Sequence, residues 1–145
     1  MKTINTAMTL AWAAAFFLLT PAAANAQTFQ EPEQAVRAYI TAVSTGSGAY
    51  IEQAFADNAA IQYYDDAGEY QYYSRDEFAE LVDTGNTWDA TINMTNLLRT
   101  GKAANATVEF TWGENGERGY VDYLNLIYAD GSWRITNKVA QYVSR

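Results

Sequence analysis

The chain contains no cysteine and no histidine. The first absence excludes disulfides, thiol catalysis, thiolate metal sites and a lipoprotein anchor. The second excludes Ser-His-Asp triads, histidine proton transfer and most zinc and iron sites. Basic residues are scarce too: 9 Lys and Arg stand against 17 Asp and Glu, a formal charge of −8. A chain so acidic lacks the basic footprint that nucleic acids and anionic membrane surfaces require. There is no phosphate loop, no dinucleotide glycine fingerprint and no nucleophile elbow. Nothing is rich enough in ligands for a metal, so neither metal nor cofactor is expected. What is abundant is apolar and aromatic. Of 145 residues, 49% are hydrophobic and 14% aromatic, which suffices for the core of a single domain.

The N-terminus reads as an address. Lys2 precedes an apolar stretch from Ala7 to Leu19, Pro21 interrupts it, and Ala24-Asn25-Ala26 fits the small-x-small cleavage rule. The stretch is shorter than the roughly 20 apolar residues a membrane span needs. The expectation is a secretory signal peptide over residues 1–26, no twin arginine, and a periplasmic or secreted bacterial product. Losing Lys2 leaves 8 basic against 17 acidic residues, a charge of −9. Residues 27–145 contain no linker, repeat or low-complexity stretch and read as one domain.

Periodicity then organises that domain. Pro32 opens a helix whose stripe is Val36, Tyr39, Ile40 and Val43, and Gly46 and Gly48 stop it. Ser47 caps a short second helix burying Ile51, Ala54 and Phe55. A strand over Ala59–Tyr64, a turn at Asp65-Asp66-Ala67-Gly68 and a return strand Glu69–Tyr73 follow. Ser74-Arg75-Asp76-Glu77 is a capping box for a third helix with Phe78, Leu81 and Val82 behind it, closed by Gly85. The period then changes to 2, giving strands Thr87–Leu98, Lys102–Trp112, Arg118–Tyr128 and Ser132–Tyr142. Helices first and long strands last predict an α+β fold with a mainly antiparallel sheet.

The last hairpin can be read in register. A two-residue turn at Asp130-Gly131 pairs Tyr128 with Trp133, Leu126 with Ile135, Leu124 with Asn137 and Asp122 with Val139. This set is mostly apolar and is expected to be the covered face. Tyr123, Asn125, Thr136 and Lys138 are expected on the open face. In the preceding strand Ala104, Ala106, Val108, Phe110 and Trp112 alternate with Asn105, Thr107, Glu109 and Thr111. Two polar groups, Asp122 and Asn137, are thereby placed on the covered side.

This order of elements resembles the nuclear-transport-factor-two-like superfamily, which includes SnoaL-like proteins and ketosteroid isomerases. Within it the chain is most similar to the putative lumazine-binding family. The residues that carry the resemblance are Asp122-Tyr123-Leu124-Asn125-Leu126, then Asp130 to Val139, and Tyr73-Ser74-Arg75-Asp76-Glu77-Phe78 at the third helix. The resemblance spans the whole of residues 27–145. It implies a cone-shaped α+β barrel, with three helices on a curved sheet, a pocket between them, and a homodimer built through the sheet.

Such a pocket places candidate residues. Asp122 is the tentative catalytic residue, since a carboxylate in a partly apolar cavity can serve as a general acid or base. Tyr39 and Tyr63 can complete an oxyanion site of the ketosteroid-isomerase kind. Asn137 can orient a carbonyl or heteroaromatic ring, and Trp112, Trp133, Tyr39, Tyr63 and Tyr128 can stack on a planar ligand. Each residue also has a plain structural reading: Asp122 hydrogen-bonded to Asn137 or a tyrosine hydroxyl, the aromatics as core packing. Asp65, Asp66 and Glu69 read as a solvated turn, too short for a calcium loop. Three functions follow: a non-catalytic exported binder of a small apolar or planar ligand, a cofactor-free lyase or isomerase with Asp122 as base, or a dimeric interaction protein with a filled cavity.

Overall fold

A computed structural model describes residues 26–145. The secretory leader expected from the sequence falls on residues 1–25, outside the described residues, apart from Ala26. Among the described residues no helix is long and apolar enough to cross a membrane.

Helix α1 runs Pro32–Thr45. Pro32 occupies its first turn, where a missing N–H costs nothing, and the Glu31 N–H donates to Gln34 Oε1 at 3.1 Å. Val36, Tyr39 and Ala42 bury the stripe. Gly46 ends the helix in the left-handed region at φ 65°. A Cβ there would stand 2.6 Å from the Asn86 nitrogen, so the position needs glycine twice over. Helix α2 is Gly48–Ala54, with Ile51 and Ala54 buried. Strand β1 spans Phe55–Tyr64 and β2 Tyr70–Ser74. β1 starts earlier than expected, with an irregularity between Phe55 and Ala60. Asp65 closes the turn between them, accepting from the Ala67 and Glu69 N–H groups at 3.0 and 2.8 Å.

Helix α3 is Arg75–Val82. Its capping box forms: the Glu77 N–H donates to Ser74 Oγ and the Ser74 N–H to Glu77 Oε2. The helix stops at Asp83 rather than at Gly85, whose N–H instead reaches the Gly46 carbonyl at 2.8 Å. Residues 84–90 are irregular, not the start of a strand. The Trp88 N–H is taken by the Ser44 carbonyl at 2.9 Å, which ties the segment to α1 and diverts it from a strand ladder.

Strands β3 (Thr91–Thr100), β4 (Ala103–Trp112), β5 (Arg118–Ala129) and β6 (Ser132–Ser144) complete an open six-stranded sheet in the order β2-β1-β6-β5-β4-β3. Neighbours are antiparallel except β1 and β6, which run parallel. The helices cover one face. Between them and the sheet lie Val36, Ile51, Phe55, Ile61, Val108, Phe110, Leu124 and Ile135, all fully buried.

The β5–β6 register follows the expectation only as far as Leu126 opposite Ile135. Asn125 then faces Asn137, Leu124 faces Lys138, and Asp122 faces Ala140. Thr136 is one extra residue on β6, a β-bulge, and everything beyond it changes face. Asn137 therefore lies on the open face and Lys138 on the covered one, the reverse of the sequence expectation. The exposures agree: Lys138 retains 5% of its surface and Val139 46%.

Candidate functional site

The helices and the sheet enclose a cavity of about 400 Å³. Tyr39 and Val43 of α1, Phe78, Leu81 and Val82 of α3, Tyr63 of β1, Phe110 of β4 and Tyr120 of β5 form its walls. Thr84, Asn86, Thr87 and Trp88 close one side. Trp88 stacks on Phe110 with centroids 5.4 Å apart and planes inclined by 12°. That is the offset arrangement aromatic pairs favour.

Asp122 and Lys138 form the polar floor. Alternation along β5 turns Asp122 inward beside Leu124 and Leu126, and the Thr136 bulge turns Lys138 inward opposite Leu124. The ammonium lies 3.3 Å from Asp122 Oδ2. The same oxygen accepts the Tyr39 hydroxyl. The lysine is boxed by rings, with Nζ 5.1 Å from the centroid of Tyr63, 5.3 Å from Phe78 and 5.8 Å from Tyr39. Cation–π attraction and the ion pair together make a buried ammonium tolerable. Among the described residues Asp122 Oδ1 is buried without a hydrogen-bond partner.

The phenols around this floor stay neutral. Burial, then the Asp122 charge and its hydrogen bond, push the Tyr39 hydroxyl well above the usual tyrosine value. Burial and the neighbouring Tyr73 raise Tyr63, and burial with Asp66 and Asp65 nearby pushes Tyr120 up to about 12. At neutral pH all three hydroxyls carry their protons and can donate hydrogen bonds.

Of the residues singled out from sequence, the structure brings Asp122, Tyr39 and Tyr63 together. Asn137 is elsewhere. It accepts from Asn125 Nδ2 at 3.4 Å in a row of amides on the open face, where Asn105 donates to Asn125 at 3.1 Å. Trp112 does not line the cavity but packs 5.1 Å behind Trp88. Tyr128 and Trp133 lie at the far end of the β5–β6 hairpin. There Trp133 is fully buried under Tyr128 and Arg99, away from the cavity. Their face was right but their level along the sheet was not. Lys138 was missed as a floor residue. The signal available was Asp122 itself, because a carboxylate on a covered face needs a cation opposite it. Among the described residues no group of three His, Cys, Asp or Glu is placed to hold a metal.

Comparison with known proteins adds two findings. The model of a family described as putative lumazine-binding matches residues 27–141. Among solved structures, the chain is similar to an NTF2-like protein of unknown function from Silicibacter pomeroyi. That similarity has 25% identity, a TM-score of 0.66, and covers 76% of this chain and 91% of that one. A second NTF2-like protein of unknown function, from Shewanella baltica, has 16% identity, a TM-score of 0.67 and coverage of 79% and 92%. A ketosteroid isomerase-like protein from Erwinia carotovora atroseptica has 20% identity, a TM-score of 0.57 and coverage of 78% and 94%. The last two likenesses are of fold. No curated protein matches the chain.

Proposed function

This chain belongs to the putative lumazine-binding family, and from that premise we propose that it is an exported, non-catalytic domain that holds one small planar ligand in its cavity. One observation carries the reading: a cavity of about 400 Å³ with aromatic walls and a single charge-balanced floor. That volume and lining are those of small-molecule pockets. Tyr63, Phe78, Trp88, Phe110 and Tyr120 offer ring faces on which a flat molecule can stack. A base role for Asp122 is disfavoured by geometry. Its Oδ2 already takes two donors and its Oδ1 is buried, so no free carboxylate oxygen meets a substrate proton.

Export rests on the apolar stretch Ala7–Leu19 and the Ala24-Asn25-Ala26 site. A homodimer through the sheet is part of the same reading. The open face exposes Tyr72, Tyr123 and Val139, a surface a second copy can cover.

Native mass spectrometry of protein purified gently from its own host tests these statements together. The expected spectrum shows a chain beginning at Gln27, paired with a second copy, and carrying a reproducible extra mass of a few hundred daltons. A bare protein whose Trp88 fluorescence responds to no planar heteroaromatic compound would overturn the binding reading. A retained residue 1–26 would overturn export, and a monomer at micromolar concentration would overturn the dimer.

A further inference from the structure

Strand directions decide which connections share an end of the sheet. β1 runs parallel to β6, and β3, β4, β5 and β6 alternate. The β1–β2 turn, the β4–β5 loop and the segment leading into β3 therefore lie together at one end. The cavity reaches that end, where Thr84, Asn86 and Thr87 of its wall are exposed. Carboxylates crowd the same rim: Asp65 and Asp66 on the turn, Glu114 and Glu117 on the loop, Asp83 and Asp89 before β3. Among the described residues two cations stand with them, and both are engaged. Arg118 lies 3.9 Å from Glu117 and Arg145 3.3 Å from Glu109. Asp65 is held as an anion by the Glu69 and Ala67 N–H groups and by Gln71 Nε2, which keep its carboxyl below the usual value. Just inside the rim the wall is aromatic. Tyr63 and Tyr120 meet at 89° with centroids 6.0 Å apart. Trp112 packs behind both Tyr120 and Trp88, at 5.9 and 5.1 Å, and holds these two wall rings side by side. The carboxylate field reaches them. After burial, the charges of Asp66 and Asp65 are the next causes that raise the Tyr120 hydroxyl. Ring faces are negative in potential, so rings and rim favour a guest of the same sign.

We infer that the cavity takes an organic cation, a flat or apolar body with an alkylammonium group at its outer end. The inference rests on the ligand-binding reading above and adds the ligand's charge to it. The body lies against Phe78 and Phe110, and the ammonium stops among Tyr63, Trp88 and Tyr120, beneath the carboxylate rim. An alkylated ammonium is weakly hydrated, and ring faces replace its water by cation–π attraction, most strongly on tryptophan. The rim adds a longer-range term. A cleft bordered by one sign of charge concentrates ions of the other sign at its entrance. The protein already places one ammonium on this wall, since Lys138 Nζ lies 5.1 Å from the Tyr63 centroid. Lys138 does not repel a second cation strongly, because Asp122 balances its charge from 3.3 Å. A neutral group of the same shape gains neither the ring term nor the rim term, and an anion meets both as repulsion.

Three naphthalenes that differ in one substituent separate these cases in the wild-type protein, by calorimetry and tryptophan quenching. The 2-naphthyltrimethylammonium ion carries the cation, 2-(2-naphthyl)propan-2-ol is neutral with nearly the same shape, and 2-naphthoate is an anion. At low salt the cation is expected to bind at least about ten-fold more tightly than either of the others. Raising the salt to about 300 mM should shrink that preference, because the rim term is screened. The double variant Asp66→Asn with Glu114→Gln removes two exposed rim charges. It should weaken the cation by at least about three-fold and leave the neutral alcohol unchanged. Equal or tighter binding of the alcohol or of 2-naphthoate overturns the inference while leaving the binding reading standing. So does a cation affinity that neither salt nor the double variant alters. If none of the three binds, both readings fall together.

Discussion

Replacing Lys138 by Met should expose how strongly the floor is coupled. The chain is about as long, and the packing against Tyr39, Tyr63 and Phe78 is kept, but the charge is gone. At 3.3 Å and an effective dielectric of about 20, the gross attraction between the two charges is roughly 5 kcal/mol. Part of that offsets the desolvation of both ions. Removing only one partner, however, strands the other, which costs about 3–5 kcal/mol. Set against a total stability of about 5–15 kcal/mol, this is a large fraction. With a urea slope of about 1–3 kcal/mol per molar, the unfolding midpoint should fall by roughly 2 M, followed by tryptophan fluorescence. The double variant Lys138→Met with Asp122→Asn should recover most of the loss, because the carboxamide keeps an acceptor for the Tyr39 hydroxyl without a charge. The cycle should show a coupling of at least about 2 kcal/mol. A single variant that loses under about 1 kcal/mol, or two losses that simply add, would refute the buried ion pair as an energetic unit.

Alkaline pH should destabilise the protein for a related reason. In the unfolded chain tyrosines ionise near pH 10, whereas Tyr39, Tyr63 and Tyr120 hold their protons higher in the folded one, Tyr120 to about 12. The folded state then binds more protons, so stability is full below pH 10 and falls as pH rises toward 12. Urea midpoints at pH 9, 10.5 and 11.5 that do not decline would contradict this. Gly48→Ala should cost about 1–3 kcal/mol, since a Cβ there would lie 2.5 Å from the Ala79 carbonyl oxygen and 2.9 Å from Asp83 Cβ. Thermal melting reads it, and an unchanged midpoint would mean that α2 and α3 can separate freely. Asn137→Ala should leave ligand affinity unchanged and stability within about 0.5 kcal/mol, as expected for an open-face amide. A loss of binding would return Asn137 to the site.

Local patterns that carry their own physics were legible. The Ser74–Glu77 capping box, the Pro32 start and the two-residue turn at Asp130-Gly131 all appear where the residue types demand them. So does the alternation of Ala106, Val108 and Phe110 on the covered face. The bulge was not legible. Thr136 is an ordinary strand residue, and straight alternation puts the apolar Val139 inside and the charged Lys138 outside, which is the better choice residue by residue. The pairing of Lys138 with Asp122 outweighs it, and that contact couples two strands rather than neighbours in sequence. Trp112, Tyr128 and Trp133 show a second limit. Period-2 reading assigns a face but not a height along the sheet, and the cavity occupies only one level of it. The end of the irregular segment, from Thr87 to Ala90, was read as strand because its anchor, the Ser44 carbonyl, lies on a helix some forty residues earlier.

The place of β6 in the sheet has a consequence for how the molecule comes into being. The last strand of the described residues is an interior one, between β1 and β5, and it supplies Lys138 to the floor and Trp133 to the core. Until its 13 residues are available, the hairpin β1–β2 and the meander β3–β5 have no common sheet to join. The domain therefore cannot assemble progressively behind the ribosome. Any product that stops short of Ser132 consists of two pieces with a gap where the centre should be. The sheet becomes continuous only once β6 slides into the middle.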